Sequence, residues 1–223
     1  LLIFIPISYY FIFLIINIFG LLKLIPVIKE QRVNKESVSV IIAVRNGQNA
    51  LPKLIHSLAN QNYKGDLEVI LVDDESTDNT KSLISNINDV RFKYVSSKEG
   101  AENLKFKKRA LDAGIKNSKN DILLFTDVDC QVPFSWVQSM ANSFYNSNID
   151  YVVGFSRAQF VYGLANLFQR IDFLMLMFSS AATCNVKYPL ASSGQNQGYR
   201  RKLFKKVGGY NKISNLLMGD DSI

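Results

Sequence analysis

The sequence predicts an α/β domain on a mostly parallel sheet with flanking helices, preceded by one apolar N-terminal helix. Three observations predict it. From residue 38 onward, short β-branched runs alternate with segments of helical periodicity. Several of those runs are apolar at every position, as strands covered on both faces are. Before them, residues 1–22 carry no charged side chain, and the first charge is Lys23.

The elements follow in order. VSVIIAV (38–44) reads as a buried strand, and Leu51, Leu54, Ile55 and Leu58 then recur at helical spacing. LEVILV (67–72) is a second strand, followed by a polar loop and a helix of about two turns ending near Asn86. Residues 92–95 form a third strand, 104–117 a helix, and DILLFT (121–126) a fourth strand. Pro133 opens a helix running to about Ser147, and residues 151–154 are a further strand. Residues 164–183 are apolar but contain Gln169, Arg170 and Asp172. Charges in mid-span are costly, so this segment reads as an interfacial helix rather than a second span.

Residues 1–28 read as a transmembrane anchor, since about 20 apolar residues match a bilayer core. Residues 29–37 read as a juxtamembrane linker and 38–223 as the α/β domain. Lys23, Lys29, Arg32 and Lys35 follow the anchor, which by the positive-inside rule places the globular part in the cytoplasm, at the cell (inner) membrane. Cys130 and Cys184 imply no disulfide framework, in keeping with a reducing compartment.

The net charge is +7, with basic clusters at 105–109 and 200–206. These read as solvated faces, as attraction to anionic lipid, or as phosphate binding. There is no zinc-finger spacing and no RNA-binding aromatic signature, so nucleic acid is not an expected partner. One histidine, His56, cannot build a histidine metal site alone. The loop after the first strand is RNGQNA (45–50), not G-x-G-x-x-G, and no G-x-x-x-x-G-K-[ST] occurs. Dinucleotide dehydrogenases and P-loop enzymes are thereby disfavoured.

The loops carry carboxylates instead, at the strand ends where open α/β sheets bind ligands. The fourth strand runs into Asp127-Val128-Asp129. Continued at a period of two, it sends Asp127 and Asp129 to one side and Val128 to the core. Two hard oxygen ligands suit Mg²⁺ or Mn²⁺, although two acidic residues also simply end strands. The second strand ends in DDESTD (73–78), suited to a base edge and ribose hydroxyls. Ser76, Thr77 or Asp78 also suits a helix N-cap there. Lys107 and Lys108, on the helix before the fourth strand, face phosphates or water. The sequence closes on Gly219-Asp220-Asp221-Ser222-Ile223, where a carboxylate is the simplest base for a hydroxyl proton.

Together these residues resemble the family 2 glycosyltransferases of the GT-A (Rossmann-like) fold, from about residue 38 to 223. VSVIIAVRN, LEVILVDDESTDNT, KKRALDAGI, FTDVDCQVP, SGQNQGYRRKLFKKVGGY and GDDSI stand in the family's order. The resemblance implies a metal-dependent, inverting enzyme using a nucleotide-sugar donor and a lipid-linked or glycan acceptor. It assigns the donor to Val44, Asp73, Asp74, Lys107, Asp127, Gly194, Gln195 and Asn196. It assigns the metal to Asp127 and Asp129, and the base to Asp221 with Asp220 beside it. Arg45-Asn46-Gly47 departs from the usual Asn-Glu pair, and Gln197-Gly198 from the usual apolar-alanine pair. The family continues beyond this point, so the resemblance also implies a C-terminally incomplete domain. A nucleotidyltransferase acting on sugar phosphates and a catalytically inactive membrane-bound fragment are the alternatives.

Overall fold

The computed structural model describes residues 4–23, 33–188 and 192–216. The chain divides into two compact units. Residues 1–31 and 155–192 make one, and residues 32–154 and 193–223 the other. Residues 155–192, read from sequence within the catalytic domain, thus associate with the N-terminal helix.

In the first unit, α1 (Phe4–Leu22) packs along α6 (Leu164–Asn185). A Cβ on Gly20 would lie 2.1 Å from the Ala182 carbonyl oxygen, so the glycine permits the close approach. Asn185 Nδ2 donates to the Gly20 carbonyl at 3.2 Å. Among the described residues, no helix is long and apolar enough to cross a membrane. The expected spanning anchor is thus not supported by the 19 described residues of α1, which rise about 1.5 Å each against a bilayer core of roughly 30 Å. Residues 1–3 and 24–28 of that expected anchor lie outside the described residues.

The second unit is a three-layer α/β domain. Its strands are β1 (Val38–Val44), β2 (Leu67–Asp73), β3 (Phe92–Ser96), β4 (Ile122–Phe125), β5 (Tyr151–Val153) and β6 (Gln197–Arg200). They form one sheet in the order β3-β2-β1-β4-β6-β5. β1 lies parallel to both β2 and β4, and β2 parallel to β3. β6 runs antiparallel to β4 and to β5.

The helices here are α2 (Leu51–Ala59), α3 (Thr80–Ser85), α4 (Lys107–Asn117), α5 (Trp136–Ser143) and α7 (Arg201–Val207). Alternation along each strand divides the core. Val40, Ile42, Leu71 and Leu124 pack under α2, α3 and α5. Ile41, Ile70, Leu123 and Phe125 pack under α4 and α7. Gly114 lets α4 sit close on the sheet, because a Cβ there would lie 2.4 Å from Ile41 Cγ2.

Three elements differ from expectation. Helix α5 runs only over Trp136–Ser143, rather than from Pro133 to about Ser147. Helix α4 starts at Lys107 rather than residue 104, since Phe106 sits at φ 55°, outside helical backbone. Strand β6 has no apolar alternation to announce it: Gln197, Gly198, Tyr199 and Arg200 are all buried. It is tolerated because its polar groups find partners inside. Tyr151 Oη donates to Gln197 Oε1 at 2.7 Å. Arg200 Nη1 donates to Glu36 Oε2 at 3.0 Å and Asp121 Oδ2 at 3.2 Å, and Nη2 donates to the Phe144 carbonyl at 2.8 Å.

The hydrogen bond from Arg200 holds the Glu36 carboxyl below its ordinary value of 4.5, against the upward pull of burial. A depressed carboxylate stabilises the fold above its unfolded pKa, and that contribution disappears as pH falls through the folded value. Denaturant midpoints are therefore expected to drop as pH falls below about 4.5, and Glu36→Gln is expected to flatten that drop. An equal slope in both proteins would count against the pairing.

Candidate active site

The topology brings the C-terminal ends of β2, β1 and β4 to one sheet edge, together with the N-terminal end of β6. Register fixes this: Val44 pairs with Asp73, Ile41 with Phe125, and Phe125 with Gln197. Asp73, Val44, Asp127 and the 194–196 segment therefore share that edge, as the sequence reading expects.

At the end of β2, Asp73 is buried and committed. Its Oδ1 accepts the Ser76 N–H at 3.0 Å and its Oδ2 accepts the Tyr94 hydroxyl at 3.2 Å. Burial, and then the Asp73 charge, push the Tyr94 phenol above its ordinary range, which keeps it a donor. Asp74 N–H donates to the Val44 carbonyl at 2.8 Å.

The loops after β1 and β2 are laced together. Thr77 N–H reaches Asn46 Oδ1 at 2.8 Å, Gly47 N–H reaches Thr80 Oγ1 at 2.8 Å, and Gln48 N–H reaches Asp78 Oδ2 at 3.0 Å. Asn46 and Glu75 lie at φ 52° and 55°. Asparagine adopts this region readily, whereas glutamate is strained by about 1 kcal/mol or more. The residue before α3 is Asn79, not Ser76, Thr77 or Asp78, and its side chain makes no capping bond. Asp78, one of the three residues read as a cap, nonetheless accepts the N–H of Thr80, the first residue of α3, at 3.0 Å.

The carboxylates after β4 do not continue the strand. β4 ends at Phe125, and a turn follows in which the Cys130 N–H donates to the Asp127 carbonyl at 3.1 Å. Asp127 and Asp129 thus leave a turn, not an extended run, because the chain must reverse to reach α5. Val128 does pack inward, as expected. Lys107 Nζ lies 2.9 Å from Asp127 Oδ1, so this carboxylate already faces a cation. Burial pushes the Cys130 thiol up, which disfavours a thiolate beside the two aspartates.

Among the described residues, no group of three or more metal-ligating side chains converges. Asp127 and Asp129 nonetheless fit a hard divalent cation, which takes one or two carboxylates and completes its shell with phosphates and water.

On the β6 side, Gln195 is exposed and Gly194 half-buried. Asn196 is partly spent on structure: its Oδ1 accepts the Trp136 indole N–H at 2.9 Å and its carbonyl accepts the Gly154 N–H at 2.8 Å. Trp136 and Tyr94 are supports that sequence reasoning missed, although Trp136 was findable as the chain's single tryptophan.

The basic clusters divide: Lys105, Lys202, Lys205 and Lys206 are exposed, as solvated faces are, whereas Lys108 and Arg200 are buried. Arg200 is buried in β6, as described above. Arg201 donates to the carbonyls of Ile115, Ser118 and Asn120 at 2.8, 3.0 and 2.7 Å, satisfying the end of α4. Asp220 and Asp221 lie outside the described residues.

Residues 39–208 match the family described as Glycosyl transferase family 2. The chain belongs to that family. The nucleotidyltransferase alternative is thereby set aside.

Relatives of this family 2 chain include the GalNAc(5)-diNAcBac-PP-undecaprenol beta-1,3-glucosyltransferase of Campylobacter jejuni. It is 36% identical over 41% of this chain and 29% of its own length. They also include the Escherichia coli UDP-Glc:alpha-D-GlcNAc-diphosphoundecaprenol beta-1,3-glucosyltransferase WfaP, 31% identical over 52% of this chain and 47% of its own length. The chain thus spans less than half the length of either. Among solved structures, the mannosyltransferase PcManGT from Pyrobaculum calidifontis, in complex with GDP-Man and Mn2+, superposes with a TM-score of 0.66. It covers 99% of this chain and 61% of that one at 18% identity, a likeness that shows the fold alone.

Proposed function

We propose that this family 2 chain is the catalytic part of an inverting glycosyltransferase. It moves a sugar from a nucleotide-diphosphate donor to a lipid-linked or glycan acceptor. One observation carries the reading: Val44, Asp73, Asp127 paired with Lys107, and the 194–196 segment meet at a single sheet edge.

In this reading Asp73 and Asp74, held against Val44 and Tyr94, receive the base and ribose. Lys107 moves its charge from Asp127 toward the donor diphosphate. Gly194 and Gln195 border the donor sugar, and Asn196, anchored by Trp136, orients them. Asp221, with Asp220 beside it, takes the proton from the acceptor hydroxyl as that oxygen attacks the anomeric carbon. The bond from that carbon to the diphosphate oxygen breaks with its electron pair on the diphosphate, and configuration inverts. A divalent cation, Mg²⁺ or Mn²⁺, held by Asp127 and Asp129, supplies neutralisation of the leaving diphosphate.

The helical unit supports a membrane-facing role. Leu164 is 85% exposed and Phe168 73%, and Tyr9, Phe19 and Tyr162 are also exposed. Apolar surface on this scale marks an interaction face. We place it in the interfacial layer of the cytoplasmic face of the cell membrane, where a lipid-linked acceptor resides.

The test is a donor screen on the full-length protein with anionic vesicles carrying a polyprenyl-diphosphate glycan. Release of nucleoside diphosphate from one sugar donor, and sedimentation with the vesicles, are the expected results. Silence across all donors, with a folded protein, would refute the transfer reading. A protein that stays in the supernatant would refute the membrane face alone.

A further inference from the structure

The connection from β3 to α4 turns on Phe106, which sits at φ 55° and ψ −147°. That backbone region is open to glycine and strained for a residue with a bulky side chain. The neighbours force it. Leu104 is 3% exposed, and its N–H donates to the Ala101 carbonyl at 3.0 Å. The Ala101 N–H is held in turn by Asp112 Oδ2 of α4 at 2.8 Å, and Asn117 Nδ2 donates to Glu99 Oε2 at 2.9 Å. The chain leaves buried Leu104 and must enter α4 at Lys107, so Lys105 and Phe106 alone make the turn. The Phe106 carbonyl accepts the Arg109 N–H at 2.9 Å, which fixes it.

A glycine would make this turn without strain. A phenylalanine could offset the strain by burying its ring, yet Phe106 is 55% exposed. The fold thus keeps a strained backbone and a wet aromatic ring at one residue. Strain of this kind clusters where a ligand is held.

The place of the residue says which ligand group. Its connection begins at Ser96, the register partner of Asp73, and ends at Lys107, whose Nζ lies 2.9 Å from Asp127 Oδ1. In the reading above, base and ribose lie at the first of these aspartates and the diphosphate at the second. Phe106 therefore belongs to the stretch that runs alongside a nucleoside diphosphate. The lysines on either side of it suit phosphate, whereas a neutral planar ring suits the face of a base.

We propose that Phe106 is a donor-contact residue whose ring stacks on the nucleobase of the nucleotide-sugar. The inference rests on the proposed transfer reaction. Every base has a π-face, so this contact adds affinity without choosing the base. Choice falls to groups that meet the base edge.

The experiment is calorimetric titration of the full-length protein, with Mn²⁺ present, using UDP, GDP, ADP and dTDP. Inorganic pyrophosphate serves as the ligand without a base. In Phe106→Gly, Kd for each nucleoside diphosphate that the parent binds is expected to rise about ten- to a hundredfold, by a similar factor for each. The pyrophosphate Kd is expected to change less than about twofold. Tm is expected to equal or exceed the parent's, because the strain is relieved. Phe106→Leu keeps an apolar side chain without the π-face and is expected to lose most of the same affinity. Phe106→Tyr is expected to stay within about twofold of the parent. These two variants decide the matter if the glycine variant does not fold.

Unchanged nucleoside diphosphate affinity in Phe106→Gly and Phe106→Leu would overturn the inference. A lowered Tm in Phe106→Gly would also do so, since the ring would then support the fold. An equal loss of pyrophosphate would place the damage at Lys107, and a loss confined to the acceptor KM would place the ring at the acceptor; either result overturns it. A parent that binds none of the four diphosphates refutes the donor reading itself. A parent that binds them no better than Phe106→Gly does refutes only the stacking.

Discussion

In the Asp127→Asn variant, turnover is expected to fall by about 10²- to 10³-fold, the cost of removing one electrostatic stabiliser from a transfer site. The substitution is nearly isosteric, so the turn closed by the Cys130 N–H on the Asp127 carbonyl survives, because that bond uses main chain. What is lost is the charge. Lys107 Nζ then sits near a neutral amide rather than 2.9 Å from a carboxylate oxygen. A hard cation loses one of the two carboxylates that fit it. Donor affinity measured with and without EDTA checks this. Chelation should weaken donor binding in the parent and have little further effect in the variant. Equal sensitivity to EDTA in both would place the cation elsewhere.

The second large effect concerns stability. Phe125→Ala is expected to cost about 3–5 kcal/mol, the range for emptying a large aromatic site in a core. Phe125 is 2% exposed and ends β4, two residues before Asp127. Its ring stacks on Tyr199 at 4.7 Å. Tyr199 in turn stacks on Phe204 at 5.8 Å, and Phe204 meets Tyr210 edge-on at 5.1 Å. This aromatic row ties the last parallel strand to antiparallel β6 and to α7. Truncation leaves a void where rigid rings cannot collapse inward. A fall of about 10 °C or more in Tm should follow, with Phe125→Leu intermediate. A shift of only a degree or two would mean the row is not the support described.

These variants bear on how much of the molecule was legible beforehand. The parallel strands β1, β2 and β4 were visible because strands buried on both faces must be apolar throughout, and such runs stand out. Asp73 and Asp127 were visible for the same reason, as carboxylates interrupting those runs at their ends. The turn at 127–130 was not visible, since two alternating aspartates are compatible with strand and turn alike. Helix α4 was misjudged at its start because nothing in KFKK announces that Phe106 takes a positive φ. Strand β6 was hidden because its residues are polar, and polar residues are buried only where distant partners such as Glu36 and Asp121 meet them.

Lys108 shows the same division at a single residue. Beside Lys107 in the sequence, it reads as one of two similar cations facing phosphate or water. Its burial and its grip on the Ile213 carbonyl follow from where α7 and the 3₁₀ turn come to rest.

By itself, the sequence determined the α/β class, the strands of the sheet other than β6, the strand-end position of the acidic loops and the family. Each of these rests on local periodicity or contiguous motif, which the chain carries wherever it folds. Tertiary structure alone decided that residues 155–192 join α1, that Arg200 and Arg201 serve the fold, and that the two lysines of α4 part company. Those outcomes depend on which distant groups arrive to satisfy a buried charge, and that is a property of packing, not of sequence neighbours.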